Sequence, residues 1–139
     1  MEKNWEEYRL SFSGDLYVGQ KQSLIVAISG ETTALTVATA LTTFRMPYDF
    51  QLSDVKASLT TAGGTSGTTT LDLNMDGSTI LSTKLTIDDG DLTSVGATTK
   101  YVLSTITLTK NSKMTVDCDA ITGSGAEAGG KITLIGYQL

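Results

Sequence analysis

The side chains in this chain whose types and spacing suit chemistry are carboxylates. Asp72, Asn74 and Asp76, followed by Gly77, alternate as in the first half of a calcium-binding loop. That pattern needs a bidentate glutamate at its twelfth position, which here is Thr83. Asp88, Asp89 and Asp91 form a second carboxylate group, and Asp117 and Asp119 a third. Paired carboxylates in a desolvated cleft exchange protons or hold a cation. In sequence these read instead as acids of exposed turns and strand faces. The run Gly125 to Lys131 (GAEAGGK) has the spacing of a phosphate-binding loop. Such a loop continues with Ser or Thr and opens a helix whose N-terminus faces the phosphates. Here Ile132 follows and begins an apolar β-type run, so a flexible hairpin loop is expected.

What is missing narrows the chemistry further. The chain has no histidine, so no Ser–His or Cys–His nucleophile can be assembled. Cys118 is the only cysteine, which excludes an intrachain disulfide and the usual zinc sites. It falls in phase with Met114 and Val116 and reads as a buried small hydrophobe rather than a reactive thiol. The sequence thus predicts a protein that is not an enzyme, with no cofactor and no catalytic or metal residues.

The elements that carry these residues are strands. Leu71, Leu73 and Met75 alternate with Asp72, Asn74 and Asp76, which predicts one apolar and one wet face. Asp76-Gly77 then signals a tight hairpin into a strand over 80–87. Upstream, 21–28 is a short apolar run and 32–44 alternates with many threonines, which favour strand over helix. Phe50 and Leu52 share one phase, Val55, Ala57 and Leu59 the other. A β-bulge at Ser53-Asp54 would turn both sets inward. Downstream, 102–108, 114–118 and 132–137 alternate again, the last with apolar residues on both faces, as in a central strand. Turn-rich loops separate these runs at 61–67, 88–100 and 122–130, the span 92–100 reading as exposed. The predicted fold is all-β, a two-sheet antiparallel β-sandwich of jelly-roll type with about eight strands.

With 139 residues the chain suits one domain, divided into an N-terminal arm over 1–20 and the β-sandwich over 21–139. A net charge of −5 opposes binding to nucleic acid, whose affinity comes largely from cationic patches. No apolar run is long enough to span a membrane, so no membrane partner is expected. The N-terminus lacks the apolar stretch of a signal peptide, and an intracellular origin is the default expectation.

The arm differs in composition from the rest. Trp5, Tyr8, Phe12 and Tyr17 lie among Glu2, Lys3, Glu6, Glu7 and Arg9. Trp and Tyr are enriched where protein surfaces bind tightly, so these four are the candidate partner-binding residues. The competing reading is that they cover the edge of their own sandwich.

Three stretches carry a resemblance: Thr43-Phe-Arg-Met-Pro47, Asp54-Val-Lys-Ala-Ser-Leu-Thr-Thr-Ala62 and Ser78-Thr-Ile-Leu-Ser-Thr-Lys-Leu-Thr-Ile-Asp88. Together with the closing Lys131-Ile-Thr-Leu-Ile-Gly136, they resemble a β-sandwich domain of tailed-bacteriophage structural proteins over residues 35–139. The resemblance implies a virion component: a capsid decoration (cement) protein made in the host cytoplasm and seated on the capsid surface. It also implies a homotrimer whose partners are the major capsid protein and neighbouring copies of itself. The alternative is a tail-fibre or head-knob receptor-binding module contacting the host through its loops.

Overall fold

A computed structural model describes residues 21–139. Its strands are β1 (Gln22–Ala27), β2 (Ala38–Arg45), β3 (Phe50–Ser58), β4 (Thr68–Met75), β5 (Ser78–Thr79), β6 (Leu81–Thr83), β7 (Leu85–Asp88), β8 (Val102–Leu103), β9 (Thr107–Leu108), β10 (Lys113–Ala120) and β11 (Lys131–Gln138). A single 3-10 turn, Ser94–Gly96, interrupts them. One sheet runs β1-β11-β3-β9 and the other β2-β10-β4. The second sheet continues past β4 with β5 on its C-terminal half and β7 on its N-terminal half. A small ribbon pairs β6 with β8, and every named strand pair is antiparallel. Inward residues of both sheets, among them Leu52, Val55 and Leu134 from one and Leu71, Leu73 and Met114 from the other, form one buried cluster. The domain is therefore all-β and sandwich-like, as its alternating sequence requires.

Two local expectations hold in detail. The β3–β11 register shifts between Ile135 and Gly136, opposite Asp54 and Leu52. Ser53 is the extra residue of a bulge, and its hydroxyl donates to the Ile135 carbonyl at 3.1 Å. Leu52 and Val55 are consequently both buried despite their opposite phases. Gly136 faces the bulge so closely that a Cβ there would lie 2.0 Å from the Gln51 carbonyl oxygen. The Asp76-Gly77 hairpin is also present: both residues have positive φ, 50° and 88°, and Met75 pairs with Ser78 across the turn.

Other expectations are corrected. The strand read over 80–87 breaks into β5, β6 and β7, because residues 81–83 leave β4 to pair with β8. Likewise 102–108 is two short pieces, β8 and β9, with Val102 and Ile106 exposed. The run over 32–44 becomes a strand only at Ala38; Leu35 is buried from a loop and Val37 is exposed. The second face of β4 is not wet. Asp72 and Asn74 are buried, because the 79–84 excursion and β10 supply partners above them.

Candidate functional site: a loop platform at one end of the sandwich

The strand directions sort the loops into two ends. Ala27, Ser58 and Lys131 lie level across β1, β11 and β3, whereas Gln22, Gly136 and Leu52 lie level near the other end. At the first end, three loops singled out in the sequence meet. Gly123 N donates to Ser66 O at 3.0 Å, Ser124 N to Gly64 O at 2.9 Å and Gly90 N to Gly63 O at 3.0 Å. Loops 61–67, 88–91 and 122–130 thus form one platform, joined by 28–35 through Leu35 N to Glu127 O at 2.7 Å.

Glu127 holds the platform together from beneath. Its side chain is fully enclosed, 0% exposed. It accepts from Thr122 N at 2.6 Å, Thr122 Oγ1 at 2.9 Å and Thr69 Oγ1 at 3.1 Å. Burial pushes the Glu127 carboxyl up, but these donors outweigh it and hold the pKa below the ordinary glutamate range. An ionised, fully coordinated carboxylate is a structural clamp; a general acid would need the opposite shift. The second half of loop 122–130 is therefore packed, with Ala128, Gly129 and Gly130 buried alongside Glu127, while Gly123, Ser124 and Ala126 are exposed. The clamp also removes the phosphate-loop reading, because it places a negative charge inside GAEAGGK. Lys131 turns to Glu31 instead.

The platform surface is rich in hydroxyls and glycine. Thr65, at its tip, is exposed with φ of 74°, a left-handed conformation unusual for a β-branched residue. Its hydroxyl donates to the Gly64 carbonyl at 2.6 Å. Asp88, at the platform edge, accepts from Thr98 N at 2.9 Å and Thr98 Oγ1 at 2.8 Å. Those bonds hold its carboxyl below the usual aspartate range.

The remaining sequence candidates lie elsewhere. The calcium-loop residues diverge: Asp76 caps Lys113 N at 2.9 Å, Asn74 donates to Asp117 at 3.0 Å and Asp72 accepts from Thr79 Oγ1. Asp117 and Asp119 join Asp72 on the outer face of the second sheet, with Lys84 among them. Among the described residues, no three metal-ligating side chains gather into a site. Cys118 is buried, and burial pushes its thiol up to about 11.

Sequence reading missed the strap that runs along the free edge of β3. Residues 92–106 leave the platform and supply hydrogen-bond acceptors in turn: Leu92 O to Leu59 N at 2.8 Å, Ser94 Oγ to Ala57 N at 3.0 Å, Tyr101 Oη to Val55 N at 3.2 Å and Ile106 O to Leu52 N at 2.7 Å. Two side-chain oxygens replace strand carbonyls, so no β-period marks the segment. The span 92–100 is not simply an exposed loop, since Ser94 and Ala97 are buried.

The four aromatics Trp5, Tyr8, Phe12 and Tyr17 lie outside the described residues. Their segment joins the domain at Lys21, whose neighbour Gln22 accepts from Tyr48 Oη at 2.7 Å, at the end opposite the platform. No family model matches this chain, and no curated protein or solved structure shows significant similarity to it. What the molecule offers is a hydrogen-bonded loop platform at one end and the point where the aromatic N-terminal segment joins at the other.

Proposed function

We propose that the protein is a non-enzymatic virion component of a tailed bacteriophage: a capsid decoration protein that binds the assembled head and stabilises it. The observation that carries this reading is the polarity of the domain. The aromatic N-terminal segment joins at one end and the clamped loop platform stands at the other. An anchor and an outward face on opposite ends suit a protein that sits on a shell.

The jelly-roll reading of the fold belongs to the same proposal. Leaving out the two-residue β5 and the β6–β8 ribbon, and counting β1, β2, β3, β4, β7, β9, β10 and β11 as first to eighth, the two sheets read 1-8-3-6 and 2-7-4-5. That alternation is consistent with a double-sheet jelly roll, an architecture used by viral capsid and lectin domains. Trp5, Tyr8, Phe12 and Tyr17 are the proposed contacts to the major capsid protein and to neighbouring copies in a homotrimer. The mechanism is mass action. A ligand at a hundred times its Kd stabilises the state it binds by about 2.7 kcal/mol.

The test is occupancy on purified heads stripped of the protein. Deleting residues 1–18 is expected to leave the sandwich folded and to abolish rebinding; unchanged occupancy overturns the proposal. A quantitative gel of virions is expected to give on the order of several hundred copies per particle for a decoration protein; a handful to a few tens would indicate tail attachment instead.

The platform supports a second reading, a receptor-binding module of a tail fibre or head knob. Rigidly mounted loops are where recognition commonly resides. On this reading the soluble protein competes with phage adsorption, and substitutions at Thr65 and Ser124 remove that competition while head occupancy is unaffected.

A further inference from the structure

β1 is an edge strand, and among the described residues nothing pairs with its free side. Ile28 N donates to Gly130 O at 2.8 Å, so the hydrogen-bonded pairs of the β1–β11 ladder are Gln22/Gly136, Leu24/Leu134 and Val26/Ile132. The N–H and C=O groups of Ser23, Ile25 and Ala27 therefore point away from the sheet. Their side chains alternate onto its outer face, where all three are exposed, Ile25 by 67%. On the inner face Leu24 and Val26 are only half-buried, whereas Ile132 and Leu134 beside them are fully buried. A further strand would complete the cover.

Two other long edges are blunted. The strap supplies acceptors along the free side of β3. β2 is interrupted at Ala40, with φ of 50°, and ends on the exposed Arg45. β1 has neither device: residues 22–27 keep one register with β11 throughout and contain no charge and no proline. Sheets ordinarily protect exposed edges with charges, prolines or bulges, and a flat apolar edge is a template for another strand.

We propose that β1 pairs with β1 of a second copy of this chain, antiparallel about a two-fold axis at Ile25. The edge is self-complementary. In that register Ser23 lies opposite Ala27 and Ile25 opposite its own counterpart, so the outward groups of all three residues meet partners. Lys21 falls opposite Ser29, and no like charges oppose each other. The two Ile25 side chains meet directly across the new ladder, a favourable cross-strand pair. Two four-stranded sheets join into one through an isologous contact. The contact is independent of the decoration reading and of the homotrimer contacts proposed with it. A six-residue edge is smaller than the roughly 1,200 Å² of a standard interface, so the pairing depends on concentration.

Ile25→Cys in the full chain tests the register. Cα atoms of a hydrogen-bonded pair lie about 5.5 Å apart, within disulfide reach. Ser23→Cys is the control, because its counterpart lies about 13 Å further along the strand. With diamide as oxidant, Ile25→Cys is expected to run as a covalent dimer on a non-reducing gel. Ser23→Cys and the parent, whose Cys118 is buried, are expected to run as single chains. In light scattering of concentrated protein the parent should show twice the mass of Ile25→Lys, with thermal melts alike after dilution. Equal cross-linking of the two cysteine variants overturns the inference, and so does equal mass of the parent and Ile25→Lys. A parent of single-chain mass whose Ile25 amide resists hydrogen exchange overturns it too, because the chain's own preceding segment then covers the edge. These readouts need no capsid, so their failure leaves the decoration reading standing.

Discussion

Asp72 and Asp117 face each other as directly paired residues across the β4–β10 ladder. Like charges in that position repel, and the fold separates their duties. Asp117 accepts from Ala40 N at 2.7 Å and from Asn74 at 3.0 Å, filling the irregularity where Ala40 has φ of 50°. Asp72 is 3.5 Å from Lys84, which also pairs with Asp119. The bond to Asp119 raises the Lys84 pKa, with Asp72 adding to it. Lys84 is 44% exposed, so the pairing is screened. Lys84→Met is expected to cost ~0.5–1 kcal/mol at low salt and less at high salt. Urea titrations at two ionic strengths check it; an equal or larger loss at high salt would exclude an electrostatic role.

Glu127 makes the platform acid-sensitive. Its folded pKa lies below the unfolded value near 4.5. The carboxylate's contribution is therefore fully present at neutral pH and is lost as pH falls below that value through the folded pKa. Glu127→Gln should flatten the acid limb of a plot of melting temperature against pH. Glu127→Ala leaves enclosed donors on Thr122 and Thr69 unpaired and is expected to cost ~2–4 kcal/mol at pH 7. An unchanged acid limb in the Gln variant would remove the clamp assignment.

Tyr101 protects the edge of β3. Burial raises its phenol pKa and Asp54 adds to that, so the hydroxyl stays protonated at neutral pH. Tyr101→Phe deprives Val55 N of its acceptor and should cost ~1–3 kcal/mol. It should also speed hydrogen exchange at Val55 relative to Leu134. An exposed strand edge is a template for association, so light scattering on warming should rise earlier than in the parent. Exchange at Val55 no faster than in the parent would show that water replaces the phenol.

Leu73 tests the core assignment. It is 1% exposed between the two sheets. Leu73→Ala is expected to destabilise the domain by ~2–5 kcal/mol in a denaturant titration. A cost below ~0.5 kcal/mol would place Leu73 outside the packed core.

The sequence by itself determined the class of fold, the inward faces of β3, β4, β10 and β11, the Ser53 bulge and the Asp76-Gly77 hairpin. Each is written in side-chain period or turn chemistry within a few residues. In β2 the irregularity at Ala40 turns Phe44 rather than Thr43 toward the core. Absent histidine and a single cysteine likewise restricted the chemistry without any structure. The loops at 61–67, 88–91 and 122–130 were legible as loops but not as neighbours, because their meeting depends on strand order and direction. Glu127 sits in a Gly-rich stretch that resembles flexible linker. Only the approach of Thr69 and Thr122 makes it a buried carboxylate. The wet face expected for Asp72 and Asn74 failed for the same reason. Alternation separates two faces, but which of them is covered depends on chain that returns from elsewhere, here the 79–84 excursion and the side chains of β10. The Ser94 and Tyr101 caps leave no local signature, since a side-chain oxygen that replaces a strand carbonyl imposes no period on its own sequence. Local geometry is encoded locally; burial and proximity are properties of the packed whole.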